Sequence, residues 1–391
     1  MRAGPWLRLC GLGATAAGVL VVASGGLGIT HRALVPVALP LLIATALGAW
    51  FAHRDAFRIA AVSLVLFLAA VASWWSPVLH VALAASALAA TAVATARLYR
   101  GERPASVAWR DYVTLTKPRI MSLLLVTGAA GMFVGAQGLP DAGGFAATMV
   151  GLALACGGAS ALNHVLDRDL DRSMKRTASR PVAEGRVSPE LGLEFGLALS
   201  AFSFVLLASA VNVLTACLAL VGNLFYVLVY TRWLKRSTPQ NIVIGGAAGA
   251  VPPLVGYAAA TGNLGLAALF LFLIVFFWTP PHFWALALLI KRDYEAARVP
   301  MLPVVRGDRE TARQVLLYTV VLVGLTLVPV LTGTFGAFYL AAAALLGGWF
   351  LRLAVKLMRS TARPQALALF HYSLAYLALL FVSMALDPFV L

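Results

Sequence analysis

Three polar side chains recur at intervals of four residues where one apolar segment of the chain ends. They are Asn163, Asp167 and Asp171, and on a helix this spacing places all three on one face over two turns. Asp169 lies about 200° around such a helix from Asp167 and is expected to point elsewhere. Mg²⁺ suits clustered acids because it accepts one or two carboxylates together with water and substrate phosphates. The spacing therefore predicts a magnesium site with Asp167 and Asp171 as the metal ligands.

A basic run follows directly after these carboxylates. Its guanidinium and ammonium groups are suited to bind the oxygens of a diphosphate. The alternative interpretation is a solvated loop of mixed charge that only sets the membrane topology, but the aligned acids beside it favour a substrate site. The diphosphate-binding candidates in this run are Arg168, Arg172, Lys175, Arg176 and Arg180.

A second group of candidates lies around two adjacent prolines in a later apolar segment. Pro280 and Pro281 are expected to break or kink the helix, and irregular backbone at membrane depth is tolerated where it lines a cavity or is buried in protein. His282 follows them and is predicted to bind substrate there, the alternative being a packed core histidine. A charged cluster where the segment ends adds Lys291, Arg292, Asp293 and Tyr294.

The composition indicates that a membrane surrounds these residues. Of the 391 residues, 61% are hydrophobic and 12% are charged, whereas a soluble domain carries about 25% charged residues. This excludes an ordinary soluble enzyme, a disordered chain and a nucleic-acid binder with a basic surface patch. The net charge of +15 is attributed to basic loops on one membrane face. The sequence predicts an all-α polytopic protein in a lipid bilayer, with no nucleic acid as partner.

Apolar segments long enough to cross a bilayer predict about thirteen spans. Four precede a polar segment at residues 97–111, so an N-terminal membrane extension is expected over 1–105 and a second domain of nine helices over 106–391. Basic clusters occupy alternate loops, which places those loops and the N-terminus in the cytoplasm. The predicted spans are 7–25, 33–52, 57–75, 77–97, 119–137, 143–166, 190–211, 213–231, 239–260, 264–290, 314–333, 335–357 and 365–386.

The first group of residues resembles a motif of a known family. The pattern Asn-x-x-x-Asp-x-x-x-Asp, followed by Lys-Arg-Thr-x-x-Arg-Pro at 175–181, is similar to UbiA-type intramembrane prenyltransferases. The resemblance covers about residues 108–391. It implies a bundle of nine transmembrane helices that moves an isoprenoid group from its diphosphate to an acceptor.

Longer motifs resemble the branch of this family that farnesylates heme. They are Leu-Thr-Lys-Pro-Arg at 115–119, Trp-Thr-Pro-Pro-His-Phe-Trp at 278–284 and Asp-Tyr-x-x-Ala-x-Val-Pro-Met-Leu-Pro at 293–303. The resemblance implies magnesium-dependent transfer from farnesyl diphosphate to a vinyl group of heme B, in the cell inner membrane. The implied catalytic residues are Asn163, Asp167, Asp171 and Asp293. The further substrate-binding candidates are Lys117, Arg119, Tyr230, Lys291 and Tyr294.

Two other functions compete with this interpretation. A quinone-type aromatic prenyltransferase usually has a more acidic second motif, whereas here Asp293 is accompanied by Lys291 and Arg292. A secondary transporter also uses carboxylates and interrupted helices, but it places its sites near the bilayer midplane, whereas these acids cluster at one membrane face. For residues 1–105 a structural or docking extension is favoured over a heme-handling role, and a heme A synthase is its candidate partner.

Overall fold

Long apolar helices make up most of the chain that the structure describes. The computed structural model describes residues 107–390, together with Ser63, Ala87 and Thr91. Within residues 107–390 it has nine helices long and apolar enough to cross a membrane, and no strand. In chain order they are α1 Pro118–Ala136, α2 Ala142–Leu166, α3 Pro189–Ala210, α4 Val213–Ser237, α5 Asn241–Thr261, α6 Leu266–Leu289, α7 Gly307–Leu331, α8 Ala337–Arg359 and α9 Arg363–Leu386.

These helices confirm the nine-helix architecture predicted for this part of the chain. Most of the predicted boundaries lie within a few residues of the observed ones. The largest difference is at α7, which begins at Gly307 rather than at residue 314. The first two turns of α7 are charged, so hydropathy does not identify them as part of the span. The four spans predicted within 1–105, and with them the division into two domains, lie outside the described residues and stay predictions.

Short helices occupy the connections on one side of the bundle, which we call the loop face. This face carries residues 107–117, 167–188, 238–240, 290–306 and 360–362. The connections on the opposite side are no longer than five residues within the described chain. The short helices of the loop face are Trp109–Thr116, Arg168–Ser173, Pro181–Glu184, Lys291–Ala296 and Leu302–Val305. The two candidate groups of residues thus lie on the same face.

Neighbouring helices in the chain pack against one another from α1 to α9, and α9 packs back against α1 and α6. The helices α1 and α5 approach each other closely. A Cβ on Gly256 of α5 would overlap the carbonyl of Gly128 on α1, and one on Gly131 would overlap the carbonyl of Pro253. Small residues at such contacts let helix backbones approach closely in a membrane. The glycines therefore hold α5 close to α1.

The helix α4 changes its hydrogen-bonding pattern along its length. It is an α-helix over Val213–Leu224, a π-helix over Phe225–Leu234 and an α-helix again over Lys235–Ser237. In a π-helix each N–H bonds five residues back, which widens the turn, and such segments are frequent at functional sites. The π segment changes the directions of all later side chains of α4 relative to α2.

The helix α6 continues through Pro280 and Pro281 from Leu266 to Leu289. Of the two expected effects of these prolines, the break is therefore wrong, and the kink stays a prediction. Each proline removes only its own N–H, so the carbonyls of Phe276 and Phe277 lose their usual helical donors. Packing of α6 against α7 and α9 supports the helix through this region, as neighbouring helices do for other proline-containing membrane helices.

Candidate active site

A network of buried polar side chains lies at the loop end of α2. The Asn163 side chain donates to Asp167 Oδ2 over 2.8 Å and to Thr231 Oγ1 of α4 over 3.1 Å. Its Oδ1 accepts a hydrogen bond of 2.7 Å from Lys117 Nζ. Asn163 and Asp167 are both buried. The four-residue spacing therefore brings these two side chains into direct contact, as expected of one helix face.

The same face continues through the short helix that follows α2. The N–H of Asp171 donates to the carbonyl of Asp167 over 2.7 Å, so the helical spacing is kept across the junction. Asp171 is buried, and both its carboxylate oxygens accept hydrogen bonds from Arg180 Nη1, at 2.8 and 2.9 Å. Asp169 instead points outward and pairs with Arg236, whose hydrogen bonds lower the pKa of Asp169 to about 2.

Cationic side chains surround the two buried carboxylates. Lys235 Nζ lies 2.5 Å from Asp167 Oδ2, and Arg180 holds Asp171. Lys117 has left-handed backbone dihedrals, φ 51° and ψ 61°, between the helix Trp109–Thr116 and α1, a conformation that is uncommon for residues other than glycine. Burial, followed by the charges of Arg180 and Lys235, lowers the pKa of Lys117 to about 7. The local positive charge is thus high, as an anionic substrate requires.

Lys235 was missed from the sequence. It lies in the basic cluster at residues 232–236, which was interpreted only as a topology signal. Its contact with Asp167 joins residues 68 positions apart, and the π segment of α4 determines which way it points. The only local signal was its position at the membrane end of a helix, shared with Arg232 and Arg236.

The network fits a Mg²⁺ ion by the chemistry of its donors. Asp167 Oδ1 is buried and has no hydrogen-bond partner, although Arg236 Nη2 lies 3.9 Å from it, so this carboxylate oxygen can still bind a metal. Within residues 107–390 no three His, Cys, Asp or Glu side chains are close enough to hold a metal alone. Mg²⁺ binds through one or two carboxylates and completes its shell with water and substrate phosphates. Asp167 and Asp171 would therefore hold the ion only together with a diphosphate.

The second group of candidates meets this network through Tyr294. Tyr294 is buried in the short helix Lys291–Ala296. Burial raises its pKa to about 12, an effect that the nearby charges of Arg176 and Arg180 oppose. Tyr230 of α4 packs against the buried cluster that contains Tyr294 and Met174. Tertiary packing thus brings together candidates that are over 100 residues apart in the chain.

Other predicted residues lie outside the network. Lys291 Nζ bonds to Asp308 of α7 over 2.8 Å, and Arg172 Nε donates to the carbonyl of Ala183 over 2.7 Å. Asp293 is half-buried and acts electrostatically on Tyr294. The side chains of Arg119 and Lys175 are exposed and form no hydrogen bond or ion pair within the described chain. These two cations are free to turn towards a substrate.

The ring of His282 is fixed between α6 and α9. It stacks on Trp278 with ring centroids 4.3 Å apart and on Phe370 with centroids 5.0 Å apart. Its Nδ1 lies 2.6 Å from Ser373 Oγ. The interpretation of His282 as a packed residue thus agrees with its ring faces, while its remaining nitrogen has no partner within residues 107–390.

Glycines of α5 connect the histidine to the polar network. The ring of Tyr230 lies against Gly245, and Thr279 lies against the adjacent Gly246. Thr279 precedes His282 by about one helical turn. The two candidate groups are therefore connected through the contacts of α4, α5 and α6.

Residues 124–382 match the UbiA prenyltransferase family. A protoheme IX farnesyltransferase of Symbiobacterium thermophilum is 55% identical over 281 residues, which are 71% of this chain and 94% of that protein. A protoheme IX farnesyltransferase of Roseiflexus sp. (strain RS-1) is 43% identical over 408 aligned positions, covering 94% of this chain and 76% of that protein. The solved structure of a UbiA homologue from Archaeoglobus fulgidus bound to DMAPP and Mg²⁺ has a similar fold, with a TM-score of 0.55, 16% identity and coverage of 70% of this chain and 99% of that one.

Proposed function

Because the chain belongs to the UbiA prenyltransferase family, we propose that this membrane enzyme transfers a farnesyl group from farnesyl diphosphate to a vinyl group of heme B, giving heme O. The observation that carries the proposal is the buried network in which Asp167 and Asp171 are each paired with a cation, and a third cation, Lys117, binds the adjoining Asn163. The names of the two relatives support heme as the acceptor. Membership in a prenyltransferase family also favours an enzyme over a secondary transporter.

The network is suited to the first chemical step, which breaks the bond between the farnesyl group and its diphosphate. Negative charge concentrates on the departing diphosphate, so cations that are already in place lower the barrier. Lys117, Lys235 and Arg180 are the side chains that bind the diphosphate oxygens in this proposal. When bound by Asp167 and Asp171, Mg²⁺ supplies further charge neutralisation to the leaving group.

Aromatic side chains next to the network suit the allylic cation that this step leaves behind. Tyr226 and Tyr230 stack with ring centroids 5.6 Å apart, and a ring face attracts a cation most strongly where water is excluded. The π electrons of a heme vinyl group then form the new carbon–carbon bond. Water adds to the resulting heme-centred cation and releases a proton.

The proposed location is the cell inner membrane, with the loop face in the cytoplasm. The loop face carries the basic clusters of residues 107–390, and basic loops remain on the cytoplasmic side. A soluble, charged donor such as farnesyl diphosphate would reach the network from this side. A cysteine-labelling experiment on single-cysteine variants at residues 175 and 263, on opposite faces, tests this orientation.

The activity is tested with the purified full-length protein, farnesyl diphosphate, Mg²⁺ and heme B. We expect mass spectrometry to detect hydroxyethylfarnesyl heme, and expect chelation of Mg²⁺ to abolish its formation. A parallel reaction offers 4-hydroxybenzoate as a quinone-type acceptor. Prenylation of that acid with heme B left unchanged would contradict the proposal.

A further inference from the structure

Ser373 determines which nitrogen of His282 carries a proton. A serine hydroxyl has one hydrogen, and Ser373 Oγ donates it to the carbonyl of Phe370 over 2.7 Å. With this hydrogen on the carbonyl, we assign the contact of 2.6 Å between Ser373 Oγ and His282 Nδ1 as a hydrogen bond that Nδ1 donates. In the neutral ring, Nε2 then carries no proton and presents a lone pair.

The ring is also held in one orientation. Trp278 covers one face and Phe370 the other, and Trp278 Nε1 donates to the carbonyl of Ser373 over 2.8 Å. Ser373 is itself fully buried. A histidine whose Nδ1–H is bound to a fixed acceptor is the arrangement that orients the other nitrogen towards a metal.

The lone pair of Nε2 has no partner within the described residues. Nε2 is not completely buried by the described residues. A heme propionate is excluded as the partner of this tautomer because a carboxylate accepts hydrogen bonds and Nε2 has no proton to donate. An imidazole lone pair can bind a metal ion, and iron is the metal that the proposed acceptor brings.

The position along α6 agrees with a heme. His282 lies seven residues before the end of this helix at Leu289, about 10 Å inside the loop face at 1.5 Å per residue. The polar network lies at the loop end of α2. A flat, apolar macrocycle bound at His282 would thus lie deeper than a diphosphate.

We propose that Nε2 of His282 is the axial ligand of the iron of heme B when heme binds as the acceptor. Ser373 is a positioning residue that keeps Nε2 unprotonated and the ring oriented. This inference rests on the proposed function, because the iron arrives as part of the substrate. If His282 binds the iron, its loss should weaken the binding of heme more than the binding of the same porphyrin without iron. If His282 only packs against the porphyrin, its loss should weaken both equally.

The experiment compares two ligands on the full-length protein in detergent, ferric heme B and metal-free protoporphyrin IX. Optical and electron paramagnetic resonance spectra report the iron ligand, and titrations give the two affinities. His282→Phe keeps the ring stack and removes both nitrogens. His371→Phe is the matched control, because His371 lies on α9 and is exposed.

We expect His282→Phe to lose the spectrum of histidine-ligated heme and to bind heme about tenfold or more weakly, with little change for protoporphyrin IX. His371→Phe keeps the wild-type values. Ser373→Ala keeps all the rings, and it should weaken heme binding by about tenfold while the histidine spectrum remains. This second variant keeps the inference testable if His282→Phe does not fold.

Two results would overturn the inference alone: an unchanged heme spectrum in His282→Phe, or equal weakening for heme and protoporphyrin IX. The first would show another iron ligand, and the second would show a packing role. A wild-type protein that binds neither porphyrin would overturn the proposed function as well. The failure of the ligand assignment is therefore distinguishable from the failure of the proposed acceptor.

Discussion

At the scale of the residue, the site depends on charges that are buried in pairs. Asp167 and Asp171 are taken out of water together with Lys235 and Arg180. Removing one partner from a buried pair leaves an uncompensated charge and typically costs about 3–5 kcal/mol. The pair of Asp169 and Arg236 has a carboxylate with 64% of its side chain exposed, and such a pair contributes about 0–1 kcal/mol.

Asparagine substitutions at the three aspartates separate these roles. Asp167→Asn and Asp171→Asn should each lower farnesyl transfer by about 10²-fold or more, because the charge that holds the cations and Mg²⁺ is lost. Asp169→Asn should retain activity within a few-fold, since its carboxylate points away from the network. Heme product formation is measured, with thermal unfolding as the check on folding. Equal losses at all three positions would contradict the assignment of one functional face.

Lys235 should bind diphosphate even though no sequence pattern identified it. Lys235→Gln is expected to weaken binding of a non-reactive farnesyl diphosphate analogue by about tenfold, the loss expected for one charge-assisted contact. Arg232→Gln is the matched control, because Arg232 lies on the same helix and is exposed. This substitution removes the same positive charge as Lys235→Gln. Calorimetric titration without heme gives both affinities. If both variants bind the analogue with equal affinity, Lys235 contributes to binding only through its long-range positive charge.

At the scale of the element, the π segment of α4 and the glycines of α5 determine where the site residues lie. The Tyr230 ring is in contact with Gly245, so α5 supports the position of this ring beside the network. Thr231 of the same segment accepts the hydrogen bond of Asn163. A regular α-helix would direct the residues after Phe225 differently, because its turn is narrower.

Two glycines of α5 test this support. A Cβ at Gly245 would overlap the Tyr230 ring, whereas a Cβ at Gly249 has no atom within 4 Å. Gly245→Ala should displace Tyr230 and lower turnover by about tenfold, since small displacements in an active site are costly. Gly249→Ala should leave turnover unchanged and stabilise the helix by at most about 1 kcal/mol. Wild-type turnover in Gly245→Ala would show that the position of Tyr230 is unimportant.

On the side of the bundle opposite the loop face, Asp387 at the end of α9 caps the beginning of α8. Its carboxylate accepts the N–H of Gly336 over 2.6 Å and that of Tyr339 over 2.9 Å, at the beginning of α8. Asp387→Ala should therefore lower the stability by about 1–2 kcal/mol, the usual cost of losing a helix cap. Thermal unfolding measures the loss, and farnesyl diphosphate affinity should stay at the wild-type value. An unfolding temperature equal to that of the wild type would contradict this role.

At the scale of the whole molecule, the described residues 107–390 contain every side chain of the proposed site. The relative from Symbiobacterium thermophilum aligns over 94% of its own length with only 71% of this chain. Its 281 aligned residues are about as many as the nine-helix part contains, whereas the relative from Roseiflexus sp. aligns with 94% of this chain. We propose that the reaction does not require residues 1–105.

Removal of residues 1–105 should therefore leave an active enzyme. The four predicted spans are an even number, so the shortened chain keeps the orientation of α1 to α9 in the membrane. We expect heme farnesylation within about tenfold of the full chain, with lower thermal stability as the main loss. A folded core without turnover would show that the extension belongs to the active site. Co-purification of a heme A synthase with the full chain, compared with the shortened one, tests the predicted partner.

The sequence by itself determined the features that depend on residues close together in the chain. Hydropathy along the chain predicted nine spans in the described part, because each span is an uninterrupted apolar segment. Helical periodicity aligned Asn163 with Asp167 and turned Asp169 away. Basic loops at alternate connections placed both candidate groups on one face. Each of these inferences needs only a short window of sequence.

Only the tertiary structure decided which distant residues meet. Lys235 pairs with Asp167 across 68 residues, and Ser373 binds His282 across 91 residues. The continuity of α6 through Pro280 likewise depends on the neighbouring helices α7 and α9. Such contacts follow from how helices pack and rotate, and a one-residue change in turn width, as in α4, redirects every side chain beyond it. Local periodicity carries no information about that rotation, so these partners come from the packed bundle alone.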